Sequence, residues 1–163
     1  MKQVYPIALD HDRDMAAEVG LLLSCYAIID LYILHIYSTI SNQDKVSANI
    51  ILGRIKGNGQ RIELIKELLK VSNRENKTLE LELLNKIEQS TKLRNGYAHS
   101  IYSQVSSSPT NWRMSMWLSD GTKRKKEFKN ISTEIIRCDC EFIRTTLEEI
   151  GTYFGGIEVA YGD

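Results

Sequence analysis

The 163-residue chain sets 21 Lys+Arg against 21 Asp+Glu, a formal charge of zero with a pI near 6.8. That balance excludes an indiscriminate polyanion binder and leaves room only for a local basic patch. Its length suits one domain, residues 1–163, with a core that needs no staples. Of the three cysteines, Cys138 and Cys140 share a Cys-Asp-Cys spacing that fits neither a zinc pair nor a redox pair, so reduced thiols in a cytoplasmic protein are expected.

The opening residues, with Asp10, Asp12 and Asp14 close behind, lack the charged-then-apolar pattern of a secretion signal. Asp10-His11-Asp12-Arg13-Asp14 has no second histidine at ligand spacing and reads as a helix-start cap, not a metal site. From about Asp12 to Ile40 a four-three alternation, Met15, Val19, Leu22, Tyr26, Ile29, Ile33, Ile36 and Ile40, predicts one seam of a long helix. Asp30 sits near the middle of its apolar run, where an acid at a bilayer centre costs about 2.5 to 3.5 kcal/mol. A buried helix is therefore expected and no membrane span. Leu21, Ile28, Leu31 and Leu34 make a second apolar face, which points to a homodimer.

Asn42-Gln43-Asp44 breaks this helix, and a shorter one follows with Val46, Ile50, Ile51 and Ile55 inward, ended by Gly57-Asn58-Gly59. Gln60 to Val71 is amphipathic through Ile62, Ile65, Leu68 and Leu69, and residues 72–76 read as a turn. From Lys77 the four-three step returns in Leu83, Ile87, Ser90, Arg94, Tyr97 and Ile101, placing Arg94 on the inward stripe. A β-hairpin is expected over about 111–130, with strands from Trp112 to Leu118 and Thr122 to Asn130 around Asp120-Gly121. Ser132-Thr133-Glu134 opens a last helix with Ile136, Cys140, Ile143, Leu147, Ile150 and Phe154 on its seam, and a flexible tail covers about 155–163. The expected fold is mainly α, a four-to-five-helix bundle with a β-hairpin inserted before the last helix.

Arg94-Asn95-Gly96-Tyr97-Ala98-His99 carries the chemistry, setting a guanidinium, an amide and an imidazole within little more than one helical turn. Arginine can hold two phosphate oxygens at once, and histidine can move a proton near neutral pH. On an ideal helix Asn95 and His99 lie about 40° apart, whereas Arg94 and His99 diverge by about 140°. They converge only through a two-fold mate or a helix broken at Gly96.

This Arg-Asn-x-x-Ala-His stretch resembles the signature of the HEPN superfamily, an Arg followed four to six residues later by a His with a polar residue directly after the Arg. The resemblance covers most of the chain, through a long first helix, the motif at a helix end, then a hairpin and a final helix. It implies a homodimer whose two motifs face one cleft and, in many members, an endoribonuclease that uses no metal or other cofactor. Arg94 and His99 would be the catalytic pair and Asn95 their polar companion, orienting the phosphate or fixing the imidazole tautomer. Glu18 and Asp30 are both candidates for a supporting acid from the first helix. The leading reading is thus a toxin or defence nuclease that cleaves single-stranded RNA by 2′-hydroxyl attack. The alternative is a non-catalytic module that binds RNA, a nucleotide, or a partner such as an antitoxin or a nucleotidyltransferase-type protein.

Lys123, Arg124, Lys125 and Lys126 are candidate RNA contacts, set against the ordinary reading of a solvated hairpin face. Trp112 and Trp117 can stack on bases or pack inside. A purely structural reading makes Arg94 a buried arginine paired with Glu18 or Asp30, and His99 a satisfied cap residue.

Overall fold

A computed structural model describes residues 12–104, 112–119 and 124–157. The chain is mainly α. In order come α1 (Arg13–Ser41), α2 (Lys45–Gly53), α3 (Asn58–Val71), α4 (Lys77–Ala98), the strands β1 (Ile101–Gln104), β2 (Trp112–Ser119) and β3 (Arg124–Ile131), and α5 (Thr133–Phe154). The described residues fall into two compact units. The first takes the described residues among Met1–Ser24 and Lys92–Glu141, the second those among Cys25–Thr91 and Phe142–Asp163.

In the first unit, Asp12 starts α1 by accepting the Met15 amide on Oδ1 at 3.0 Å, a cap worth about 1 kcal/mol. Its other oxygen, Oδ2, accepts the Trp112 indole N–H at 2.9 Å, so one carboxylate ties β2 to the helix start. Trp112 is fully buried, which makes it a packing residue. Asp10 and His11 lie outside the described residues. The sheet is antiparallel in the order β1-β2-β3, with Tyr102 opposite Met114 and Met114 opposite Lys129. The expected hairpin is therefore present, its tight turn at Asp120-Gly121 lying outside the described residues. β1 is an addition. Ile101, expected on the helical seam, stands in β1 because α4 stops at Ala98. Ser132 Oγ accepts the Ile135 amide at 3.3 Å to start α5.

The second unit holds the longer part of the α1 seam. Every predicted seam residue of α1 is buried, Met15, Val19 and Leu22 in the first unit and Tyr26, Ile29, Ile33, Ile36 and Ile40 in the second. Full burial of a Leu or Ile contributes about 1.5–3 kcal/mol, so this stripe anchors both cores. Leu21, Ile28 and Leu31 on the other face stay nearly half exposed. α1 is also long and apolar enough to cross a membrane by length and composition. It ends where Asn42 takes a left-handed backbone (φ 54°) and the Gln43 amide reaches back to Ser38 O at 3.1 Å.

Two expectations about α2 are corrected. Asp44 caps it by accepting the Val46 and Ser47 amides, both at 3.0 Å, and the Ser47 hydroxyl, followed by these amides, lowers its carboxyl from the ordinary value. In that register Ala48 and Leu52 turn inward, while Val46 and Ile50 are 70% and 58% exposed. A nine-residue helix has room for only one short apolar row, and the cap decides which. The glycines at 57 and 59 do not end α2, which stops at Gly53. Gly57, at φ 88°, instead opens α3. Ile62, Ile65 and Leu69 are buried as the amphipathic pattern predicts.

Ion pairs and polar contacts knit the second unit. Glu80 is fully buried, its Oε1 accepting Arg74 Nε at 2.6 Å, Arg74 Nη2 at 2.5 Å and the Tyr153 hydroxyl at 2.9 Å. Lys66 donates to Glu88 at 2.6 Å and to Glu63 at 3.3 Å. His35 Nε2 meets Phe154 O at 2.9 Å.

Candidate functional site

The last turn of α4 delivers the candidate residues into the first unit. The helix runs unbroken through Gly96 to Ala98, with His99 as the turn residue directly after it. One of the two routes to convergence, a helix broken at Gly96, is thereby removed, and the spacing of an ideal helix would set Arg94 and His99 about 140° apart. Arg94 is half-buried, whereas Asn95 and His99 are exposed. Arg94 Nη1 donates to Asn95 Oδ1 at 3.0 Å. Asn95 is thus a companion of the guanidinium and not of the imidazole, and its Nδ2 is left as the donor for a ligand oxygen.

The acidic candidates are engaged elsewhere. Glu18 Oε1 accepts Arg137 Nε at 2.6 Å, an ion pair within the first unit. Asp30 belongs to the second unit, where its Oδ1 accepts Asn58 Nδ2. The same Asn58 amide donates to the Tyr26 hydroxyl at 2.7 Å, and that hydroxyl meets Thr91 Oγ1 at 2.9 Å. Of the basic cluster, Arg124, Lys125 and Lys126 stand in β3 opposite Ser119, Leu118 and Trp117, while Lys123 lies outside the described residues. Among the described residues no three His, Cys, Asp or Glu side chains gather as metal ligands.

Around the motif stand residues that the sequence pattern did not single out. Tyr97 is buried, and its hydroxyl donates to Asp139 Oδ2 of α5 at 2.6 Å. Burial, reinforced by that carboxylate, pushes the Tyr97 phenol well up from its ordinary value. The Tyr102 hydroxyl donates to Tyr97 O at 2.7 Å, and burial pushes this phenol up to about 12. Ser100 Oγ donates to Gly96 O, and the His99 amide to Asn95 O at 3.1 Å. Asp139 sits 42 residues from Tyr97, so no local spacing signals the pair. The second unit holds an open cavity of about 510 Å³, lined by Leu79, Leu83 and Lys86 of α4 and by Thr145, Glu149 and Tyr153 of α5. Lys86 and Glu149 bridge its wall at 2.7 Å.

No family model, no curated protein and no solved structure matches the chain.

Proposed function

We propose that the chain is a metal-independent endoribonuclease of HEPN type, a cytoplasmic toxin or defence component acting on single-stranded RNA as a homodimer. The observation that carries this reading is the solvent-facing end of α4, where exposed His99 follows a guanidinium already steadied by Asn95. In the proposed reaction the 2′-hydroxyl attacks its own phosphorus and the 5′-oxygen leaves, giving a 2′,3′-cyclic phosphate. His99 removes the attacking proton or supplies one to the leaving oxygen. Arg94 holds two phosphate oxygens and opposes the charge that builds on them. The Asn95 Nδ2 orients the phosphate. Since one motif spreads its guanidinium and its imidazole apart, a two-fold mate supplies the opposite wall. The apolar row Leu21, Ile28 and Leu31 supports such a mate, because three large side chains nearly half exposed on one helix favour a partner.

The divergence of Arg94 and His99 within a single chain favours a second reading, a module that binds RNA, a nucleotide, an antitoxin or a nucleotidyltransferase-type partner without turnover. The two separate on one gel. Purified protein is expected to cut single-stranded RNA with a chelator present and to leave cyclic phosphate ends, with cutting lost in Arg94→Ala and His99→Ala. Activity that stops on chelation, or a His99→Ala protein as active as wild type, sinks the nuclease. RNA binding that survives His99→Ala but weakens in Arg94→Ala, and falls steeply with salt, supports the binding module.

A further inference from the structure

We infer that Tyr97, Tyr102 and Asp139 are positioning residues that clamp the carbonyl end of α4 and so hold His99 in place. The inference rests on the ribonuclease reading for its chemical consequence, but not for the clamp itself.

A helix leaves its last four carbonyls without intrahelical partners, and an exposed row of such oxygens is a poor place for a phosphate to approach. Here three of the four are capped from within the next few residues. Asn95 O takes the His99 amide at 3.1 Å, Gly96 O takes Ser100 Oγ, and Tyr97 O takes the Tyr102 hydroxyl at 2.7 Å. Tyr97 is then fixed from its other end as well, its buried hydroxyl donating to Asp139 Oδ2 at 2.6 Å. One residue therefore joins three elements of the first unit, α4 through its backbone, β1 through its carbonyl and α5 through its phenol.

His99 lies inside the loop that this clamp closes, two residues after Tyr97 and three before Tyr102. His99 is exposed, so the backbone on either side of it carries much of the placement of its imidazole. Proton transfer is sensitive to such placement, since a displacement of about 1 Å can cost on the order of a hundredfold in rate. Arg94 precedes the clamped carbonyls and has its own contact with Asn95, so substrate holding and proton transfer depend on different supports. The clamp predicts a split. Breaking it lowers kcat and spares KM.

The test uses the full chain with Tyr102→Phe, Asp139→Ala and Asp139→Asn. Phe keeps the ring and removes only the donor. Asn keeps an acceptor for the Tyr97 hydroxyl and serves as the rescue. Hydrogen exchange of the His99 amide is expected to quicken by about tenfold or more in Tyr102→Phe and Asp139→Ala and to stay near wild type in Asp139→Asn. RNA cleavage is expected to show kcat lower by about tenfold or more in the first two variants, with KM within about twofold of wild type. Unchanged exchange in both variants overturns the clamp, whatever the protein does to RNA. Quicker exchange with an unchanged kcat overturns the positioning role. Quicker exchange in a protein whose wild type leaves RNA intact supports the clamp and removes only the ribonuclease reading.

Discussion

Glu80 in the second unit and the motif at the end of α4 in the first stand in opposite environments. In the second, Glu80 is sealed from water against Arg74 and Tyr153, and Lys66 lies between Glu88 and Glu63. In the first, the motif puts Asn95 and His99 in solvent at a helix end. Burial makes a charge structural, because an ion removed from water is tolerated only while its partners stay in place. Exposure leaves a side chain available to a ligand and costs the fold little when it is changed. Substitutions in the two units are therefore expected to move different observables.

The largest expected effect is His99→Ala. RNA cleavage should fall by about 10²- to 10⁴-fold, the usual contribution of a positioned acid or base, while stability shifts by no more than about 0.5 kcal/mol. A parallel melt and cleavage assay checks both. If the melt collapses with the activity, the contrast between the units is wrong. Glu80→Ala is the mirror case. It removes the acceptor of the part-buried Tyr153 hydroxyl and of the Arg74 guanidinium, and breaking a buried pair costs about 3–5 kcal/mol. Arg74 is 31% exposed and regains some water, which puts the expected loss near the lower end. For a chain of this size that is a fall in Tm of roughly 6–12 °C. An unchanged melting temperature would mean that Glu80 is not the keystone its burial implies.

These two residues also differ in how far sequence alone reveals them. The Arg94-to-His99 stretch is legible because its members are local, and the α1 and α5 seams are legible because a long four-three repeat leaves one register. Ile136, Cys140, Ile143 and Ile150 are all buried as that repeat predicts. Glu80 gives no such signal, since Tyr153 lies 73 residues away and its own neighbours look like those of a solvated helix. The Tyr97–Asp139 bond is hidden for the same reason. α2 misleads because Val46 and Ile50 are as apolar as Ala48 and Leu52, so nine residues permit two faces and the Asp44 cap selects one. β1 is four residues long and pairs with residues 112–115, too short and too distant a partner for alternation to disclose.

Alkaline pH sharpens the contrast next. Tyr102, raised to about 12 by burial, and Tyr97, raised further by burial and Asp139, hold their protons more tightly folded than unfolded. Both contributions are whole below the unfolded value near 10; that of Tyr102 is lost as pH rises from there toward about 12, and that of Tyr97 declines over the same range and beyond it. Burial alone would lower the Lys66 value, but its bonds to Glu88 and Glu63 outweigh this and raise it, so its contribution is whole below about 10.5 and lost above. The two units thus weaken in the same window for different reasons. Thermal melts from pH 8 to 12 should slope downward above 10, with Tyr102→Phe and Lys66→Met each flattening part of the fall. A slope that neither substitution changes would show that the phenols and the ammonium are not its source.

The smallest effects come from two glycines with opposite expected signs. A Cβ at Gly151 in the second unit would stand 2.9 Å from the Tyr32 hydroxyl, and Tyr32 is buried on a rigid ring that cannot swing aside cheaply. Crowding of that kind costs about 1–3 kcal/mol, more than the roughly 1 kcal/mol of helix propensity that alanine adds. Gly151→Ala should therefore lower stability by about 1 kcal/mol. At Gly96 the nearest atom to the new methyl is Met114 Cε at 3.9 Å, ordinary contact distance, and the backbone is helical. The same substitution there should raise stability by about 0.4–1 kcal/mol by narrowing the unfolded ensemble. Urea unfolding of the pair decides it. Two changes of the same sign would mean that close packing does not separate the motif turn from the helix around Gly151, and the claim that the motif end is the roomier of the two would fail.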